Sequence, residues 1–199
     1  NRKHGTVSRL MPESVPDKKM PFRMNSAQRR LLSRLWNRNV VLKARQVGIT
    51  TLICIMWLDH ALFVPDQRCG IVAQDDGAAK AIFRDKVKYA YDNLPAQVRK
   101  KFPLAKDAAD ELLFKHNNSS IRVATSMRSG TLDRLHVSEM GKISAMYPIK
   151  AAEVISGSIP SVPDDGIVVV ESTAEGREGA FFDMVETAQK ATAERLKLP

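Results

Sequence analysis

The sequence predicts an α/β fold with a mostly parallel central sheet flanked by helices, and three observations predict it. Short apolar runs recur at Val40-Val41-Leu42, at Cys69-Gly70-Ile71-Val72-Ala73 and at Ile167-Val168-Val169-Val170. Between them lie longer segments whose apolar residues fall at helical spacing. Turn or capping residues mark the passages from one to the next. Strands alternating with helices imply right-handed crossovers about a parallel sheet. In such sheets ligands bind beyond the carboxyl ends of the strands.

The elements follow in order. Residues 1–21 are polar, basic and broken by Pro12, Pro16 and Pro21, which reads as an extended arm. A helix begins near Ser26, with Ser26 or Asn25 as N-cap and Leu31, Leu32 and Leu35 as its apolar face. After the first strand comes a turn at Gly48 and an apolar helix from about Thr50 to Phe63. Asp75 or Asp76 caps the next helix, where Ala79, Ile82, Phe83, Val87, Ala90, Tyr91 and Leu94 form one stripe. Leu112-Leu113-Phe114 and Ile121-Arg122-Val123-Ala124 flank a polar Asn-Asn-Ser turn, as a β-hairpin or a strand pair would. Leu135-His136-Val137 is a further short strand, and a last helix runs from about Glu178 to Leu196.

With 199 residues, 44% of them hydrophobic, the chain can bury one good core, and no second domain is visible. No apolar run approaches the ~20 residues of a membrane span. Cys54 and Cys69 lack CxxC spacing and a nearby His, so both read as buried small hydrophobes of a cytoplasmic protein. The formal charge of +9 suits a protein that works against a polyanion. Basic groups at Arg29, Arg30, Arg34 and Arg38 and at Arg99, Lys100 and Lys101 are as readily explained as solvated faces.

The segment with the most chemistry is Lys43-Ala44-Arg45-Gln46-Val47-Gly48-Ile49-Thr50-Thr51, between a strand and a helix. A phosphate loop, GxxxxGK[ST], uses backbone N–H groups and a helix N-terminus to cradle phosphates. Gly48 takes the place of its second glycine and Thr50 that of the hydroxyl that holds Mg²⁺. Ile49 stands where the lysine belongs and Lys43 where the first glycine belongs, so the strict pattern fails. A cation from the front of the loop, Lys43 or Arg45, can still reach the β/γ-phosphates. The plain alternative is a strand–turn–helix junction with a capping threonine.

Arg45-Gln46-x-Gly48-x-Thr50-Thr51 resembles the variant phosphate loop of the large terminase subunits of tailed bacteriophages, and three further segments resemble that family in the right order. Phe22 with Asn25-Ser26-Ala27-Gln28 lies where the family has its adenine-recognising glutamine, whose amide both donates and accepts. Leu135-His136-Val137-Ser138-Glu139 resembles the Walker B segment, with Ser138 in place of the usual aspartate and Glu139 as general base. Mg²⁺ would then rest on Thr50, phosphates and waters, with Ser138 contributing weakly and Asp133 a poorer substitute. Val169 to Gly176 resembles the coupling motif, in which Ser172 and Thr173 sense the γ-phosphate. Arg128, in a Gly-containing loop, is placed as a trans-acting arginine finger or as a surface arginine for DNA phosphate. Arg45 is open to a finger role in cis.

The resemblance implies a RecA-like ASCE P-loop ATPase over residues 22–199, binding ATP through Gln28 and the loop from Lys43 to Thr51. It implies hydrolysis that drives double-stranded viral DNA into a procapsid from a homo-oligomeric ring. Implied partners are the portal protein, the small terminase subunit and a nuclease domain whose carboxylate cluster no stretch of this sequence supplies. Implied localisation is the host cytoplasm and, transiently, the procapsid portal vertex, not the mature virion or a membrane. The rivals are a helicase-like ATPase, for which a DExH/DExD box and a second lobe are missing, and a nucleotide- or DNA-binding module without turnover.

Overall fold

A computed structural model of the protein describes residues 22–128 and 130–196; the basic arm expected over 1–21 lies outside them. Seven strands form one sheet in the order β1-β7-β6-β2-β5-β4-β3. They are β1 (Arg38–Leu42), β2 (Arg68–Val72), β3 (Leu104–Asp107), β4 (Glu111–Phe114), β5 (Ser120–Ala124), β6 (Arg134–Ser138) and β7 (Ile167–Ser172). The pairs β1–β7, β7–β6, β6–β2 and β2–β5 are parallel, and β4 and β3 extend the sheet antiparallel. The segments expected as a hairpin are β4 and β5, joined through the Asn117-Asn118 turn.

Side chains alternate across each strand, and the two sets feed two apolar cores. Cys69, Ile71, Ile121, Val123 and Val169 join one core with α2 (Ile49–Phe63) and α3 (Asp76–Ile82). Val72, Leu135, Val137, Val168 and Val170 join the other. Its helical residues come from α6 (Met140–Met146), α7 (Pro148–Glu153) with Val154 just after it, and α8 (Ala180–Leu196). Helix α2 is apolar almost all round, because core residues meet it on several sides: Leu52, Ile53, Cys54, Trp57 and Leu58 are all buried. Both cysteines are buried, and burial pushes each thiol up to about 12, which suits inert core residues.

Capping agrees closely with expectation. Asn25 caps α1 (Ser26–Leu32) in a full capping box with Gln28, and Asp75 caps α3 by accepting from the Ala78 N–H. The stripe from Ala79 to Leu94 runs through α3, a π-helical segment (Phe83–Lys88) and α4 (Tyr89–Asp92). Five elements were not legible in the sequence: a second π-helical segment (Val154–Ser158), which continues α7, and α5 (Ala96–Lys101), β3, α6 and α7. Helix α5 and strand β3 are short and polar, and the other three fill the gap between β6 and β7. No helix among the described residues is long and apolar enough to cross a membrane.

Trp57 is 1% exposed, with the Arg134 guanidinium 5.7 Å from its ring centroid. Trp57→Ala should lower unfolding stability by about 3–5 kcal/mol in a denaturant titration; a loss below about 1 kcal/mol would show that the α2 core is loosely packed.

Candidate functional site

Strand register gathers the site. Leu42 pairs with Ser172 and Ser138 with Glu171, so the carboxyl ends of β1, β7 and β6 finish side by side. The loop from Lys43 to Gly48 leaves β1 here, and its first N–H donates to the Ser172 carbonyl at 3.0 Å. Gly48 is the N-cap of α2 at φ 72°, and a Cβ there would lie 2.8 Å from Gln28 Nε2. Only glycine meets both demands at low cost.

Lys43 is the cation at the centre. Its ammonium lies 2.8 Å from Glu139 Oε1 and 3.0 Å from Glu171 Oε2, with 9% of its side chain exposed. Burial works to lower the Lys43 ammonium, but its bonds to Glu139 and Glu171 outweigh that and hold it above its ordinary value. Arg45 is exposed on the loop, as is Gln46 at φ 59°. Val47 is half-buried, and the Ile49 side chain belongs to the core, so only its backbone faces the loop.

Glu171 has no exposed surface. It accepts from the Thr50 hydroxyl at 2.9 Å and the Ser138 hydroxyl at 3.0 Å, both on Oε1. The ring of His136 stands 3.4 Å from the same oxygen, while Oε2 faces the Lys43 charge rather than a well-directed hydrogen bond. Burial works to raise the Glu171 carboxyl, but His136 and Lys43 outweigh it and hold it at about 2. Sequence reasoning gave this residue no role. The signal available was a lone carboxylate at the end of the most hydrophobic strand.

Glu139 leaves β6 in the left-handed conformation, at φ 59° and ψ 46°. Thr173 Oγ1 reaches its Oε2 at 3.5 Å and the Glu175 carboxylate at 3.3 Å. Ser172 faces the opposite side of the sheet, where its Oγ would touch a Cβ at Gly141 at 2.7 Å. Thr51 accepts from Lys86 Nζ at 3.1 Å. A cavity of about 340 Å³ opens beside this group, lined by Thr50, Ser138, Glu139, Gln74, Lys86 and Lys142 among others.

Two predicted residues sit away from that centre. Gln28 is buried, its Oε1 accepting from the Asn25 N–H at 2.9 Å and its Nε2 donating to the Gly48 carbonyl at 2.7 Å. Its amide is thus engaged with the loop that precedes α2 in this conformation. Arg128 pairs with Glu153 of α7 at 2.5 Å and is more than half exposed. Of the early basic group, Arg38 spends its guanidinium on the Val162, Pro163 and Gly166 carbonyls.

Thr50 and Ser138 offer hydroxyl oxygens here, both bonded to Glu171, and oxygen ligands suit a hard cation such as Mg²⁺. Among the described residues no cluster of three or more His, Cys, Asp or Glu could hold a metal by itself. A cation that arrives with phosphate ligands fits such a partial shell.

The site and the five parallel strands define an α/β domain with a mostly parallel sheet, whose polar cluster lies at the carboxyl ends of the strands. Solved structures of phage packaging ATPases share the fold. The HK97 bacteriophage large terminase superposes with a TM-score of 0.71 at 15% identity, over 89% of this chain and 39% of that one. The large terminase ATPase domain of Thermus phage P74-26 gives 0.56 at 18% identity, over 82% and 68%. The N-terminal domain of the DNA packaging ATPase from bacteriophage phi29 gives 0.53 at 12%, over 82% and 86%. The chain therefore spans about two-fifths of the HK97 protein. No protein-family model matches the chain, and no curated protein matches it by sequence.

Gly48→Ala should cost at least about 1–2 kcal/mol from its left-handed backbone alone, read as a lowered denaturation midpoint. Adding Gln28→Ala should relieve the clash but not the backbone term. A midpoint equal to wild type in the single variant would contradict the loop geometry.

Proposed function

We propose that this chain is the ATP-hydrolysing engine of a viral DNA-packaging motor of the large-terminase type. The observation that carries the reading is the convergence of Lys43, Thr50, Glu139 and Thr173 at the ends of β1, β7 and β6 and the start of α2. The fold shared with packaging ATPases supports it.

ATP phosphates rest on the backbone N–H groups of the loop and the N-terminus of α2, which favour negative charge. Thr50, with Ser138 beside it, would hold Mg²⁺, which when bound neutralises charge on the β- and γ-oxygens. The incoming γ-phosphate competes with Glu139 for the Lys43 ammonium. Drawn to the phosphate, Lys43 releases the carboxylate, which then orients water and accepts its proton. Thr173, in reach of Glu139, reports loss of the phosphate to the loop that follows β7. Arg128 of a second copy of the chain completes the charge around the transferring group once its bond to Glu153 opens. The basic surface contacts double-stranded DNA through its phosphates, and the ring stands on the procapsid portal with its small-subunit and nuclease partners.

Glu139→Gln should reduce ATP turnover by at least about 10²-fold while ATP binding, followed by fluorescence of a labelled analogue, persists. Retained turnover would remove Glu139 as the base. In a second assay, specific ATPase activity should rise with protein concentration, and Arg128→Ala should flatten that rise. An Arg128→Ala curve that matches wild type would remove the finger in trans.

A further inference from the structure

We propose that Glu171 is the positioning carboxylate for the metal side of the site, supplying from β7 the charge that position 138 of β6 lacks. The inference rests on the ATPase reading above and deepens it. Four observations carry it. Ser138 and Glu171 are register partners on neighbouring parallel strands, so a carboxylate on one occupies the same shelf as a carboxylate on the other. The Thr50 and Ser138 hydroxyls both donate to one oxygen of Glu171, at 2.9 and 3.0 Å. The other oxygen meets the Lys43 ammonium at 3.0 Å. Finally, the carboxylate is fully buried, so none of these bonds is shared with bulk water.

The chemistry follows from which way the protons point. A hydroxyl is one donor with two acceptor lone pairs. With its proton committed to Glu171, each hydroxyl turns its lone pairs away from the carboxylate and cannot rotate to donate to a phosphate. A nearby anion also makes those oxygens better ligands for a cation. Glu171 itself stays behind the two hydroxyls and acts through them. By the same contact it fixes Lys43 between itself and Glu139.

The proposal separates from a plain buried ion pair by metal dependence. Affinity of the full chain for a fluorescent ADP analogue is measured with Mg²⁺ and with EDTA, and Mn²⁺ binding to the ADP complex is followed by electron paramagnetic resonance. Glu171→Gln keeps the acceptor toward Thr50 and Ser138 but removes the charge. It should lower the Mg²⁺-dependent part of ADP affinity, and the Mn²⁺ affinity, by about 10–100-fold, a clearly larger loss than the one read in EDTA. The double variant Ser138→Asp with Glu171→Gln should regain most of the loss, because the charge returns to the same shelf. Equal losses with and without metal, or wild-type Mn²⁺ binding in Glu171→Gln, would overturn the proposal. So would a double variant that folds but recovers nothing. Should circular dichroism show Glu171→Gln unfolded, Glu171→Asp is read instead: charge kept on a shorter arm, with reduced metal dependence expected and a wild-type value overturning the role. If wild type binds no ADP in either medium, the ATPase reading itself fails, a different result from any of these.

Discussion

The structure turns on a charge placed where none is easily kept. Glu171 is fully buried, and an isolated carboxylate in such surroundings would neutralise or pull the strand end open. It persists because Lys43, Thr50, Ser138 and His136 surround it from the exit of β1, from β6 and from the first turn of α2. Breaking one member of such a set costs far more than its pairwise contact, since the remaining charge is left unpaired. The same set therefore fixes the exit of β1, the start of α2 and the end of β6 relative to one another. A polyphosphate site of the kind proposed above needs that rigidity, because its own charges would otherwise rearrange when the ligand is absent.

Much of this architecture was legible in the sequence, for physical reasons. Val40 to Leu42, Cys69 to Ala73 and Ile167 to Val170 are apolar on both faces, as strands covered by helices on both sides must be. Asn25 with Gln28, and Asp75, are local capping signals that need no tertiary context. Helices α6 and α7 carry little periodic signal of their own, and α5 and β3 are too short and polar to stand out. Glu171 escaped for another reason. Its importance lies in the register Ser138 to Glu171, a pairing of residues far apart in the chain that no local pattern encodes. Gln28, expected to read adenine, has its amide bonded to the Asn25 N–H and the Gly48 carbonyl in this conformation, partners that its local sequence only half announces.

Helix geometry next to the cleft follows a related logic. Between α3 and α4 the backbone widens into a π-helical turn over Phe83–Lys88, a form that inserts one residue into a helix and is frequent at functional sites. Phe83 and Val87 remain buried in the α2 core. Lys86 is nevertheless turned to the cleft, where its ammonium donates to Thr51 Oγ1 at 3.1 Å. A helix that must fill a core on one side and offer a cation on the other gains from such an irregularity.

Glu139 is the sharpest local departure from ordinary geometry. A glutamate at φ 59° and ψ 46° carries a cost that asparagine or glycine would largely avoid. It caps α6 without a side-chain hydrogen bond to the helix, so capping does not explain the choice. What the conformation achieves is direction. The strand stops after Ser138 and α6 starts at Met140, so one left-handed residue must turn the chain and present its side chain over the loop. Gly141 belongs to the same turn, since a Cβ there would meet Ser172 Oγ at 2.7 Å and the Thr173 carbonyl at 3.0 Å. Strain survives where the surrounding structure over-determines it. Here Lys43 on one oxygen and Thr173 on the other hold the carboxylate over the loop, the position from which, in the proposed mechanism, a phosphate claims the lysine and frees the carboxylate.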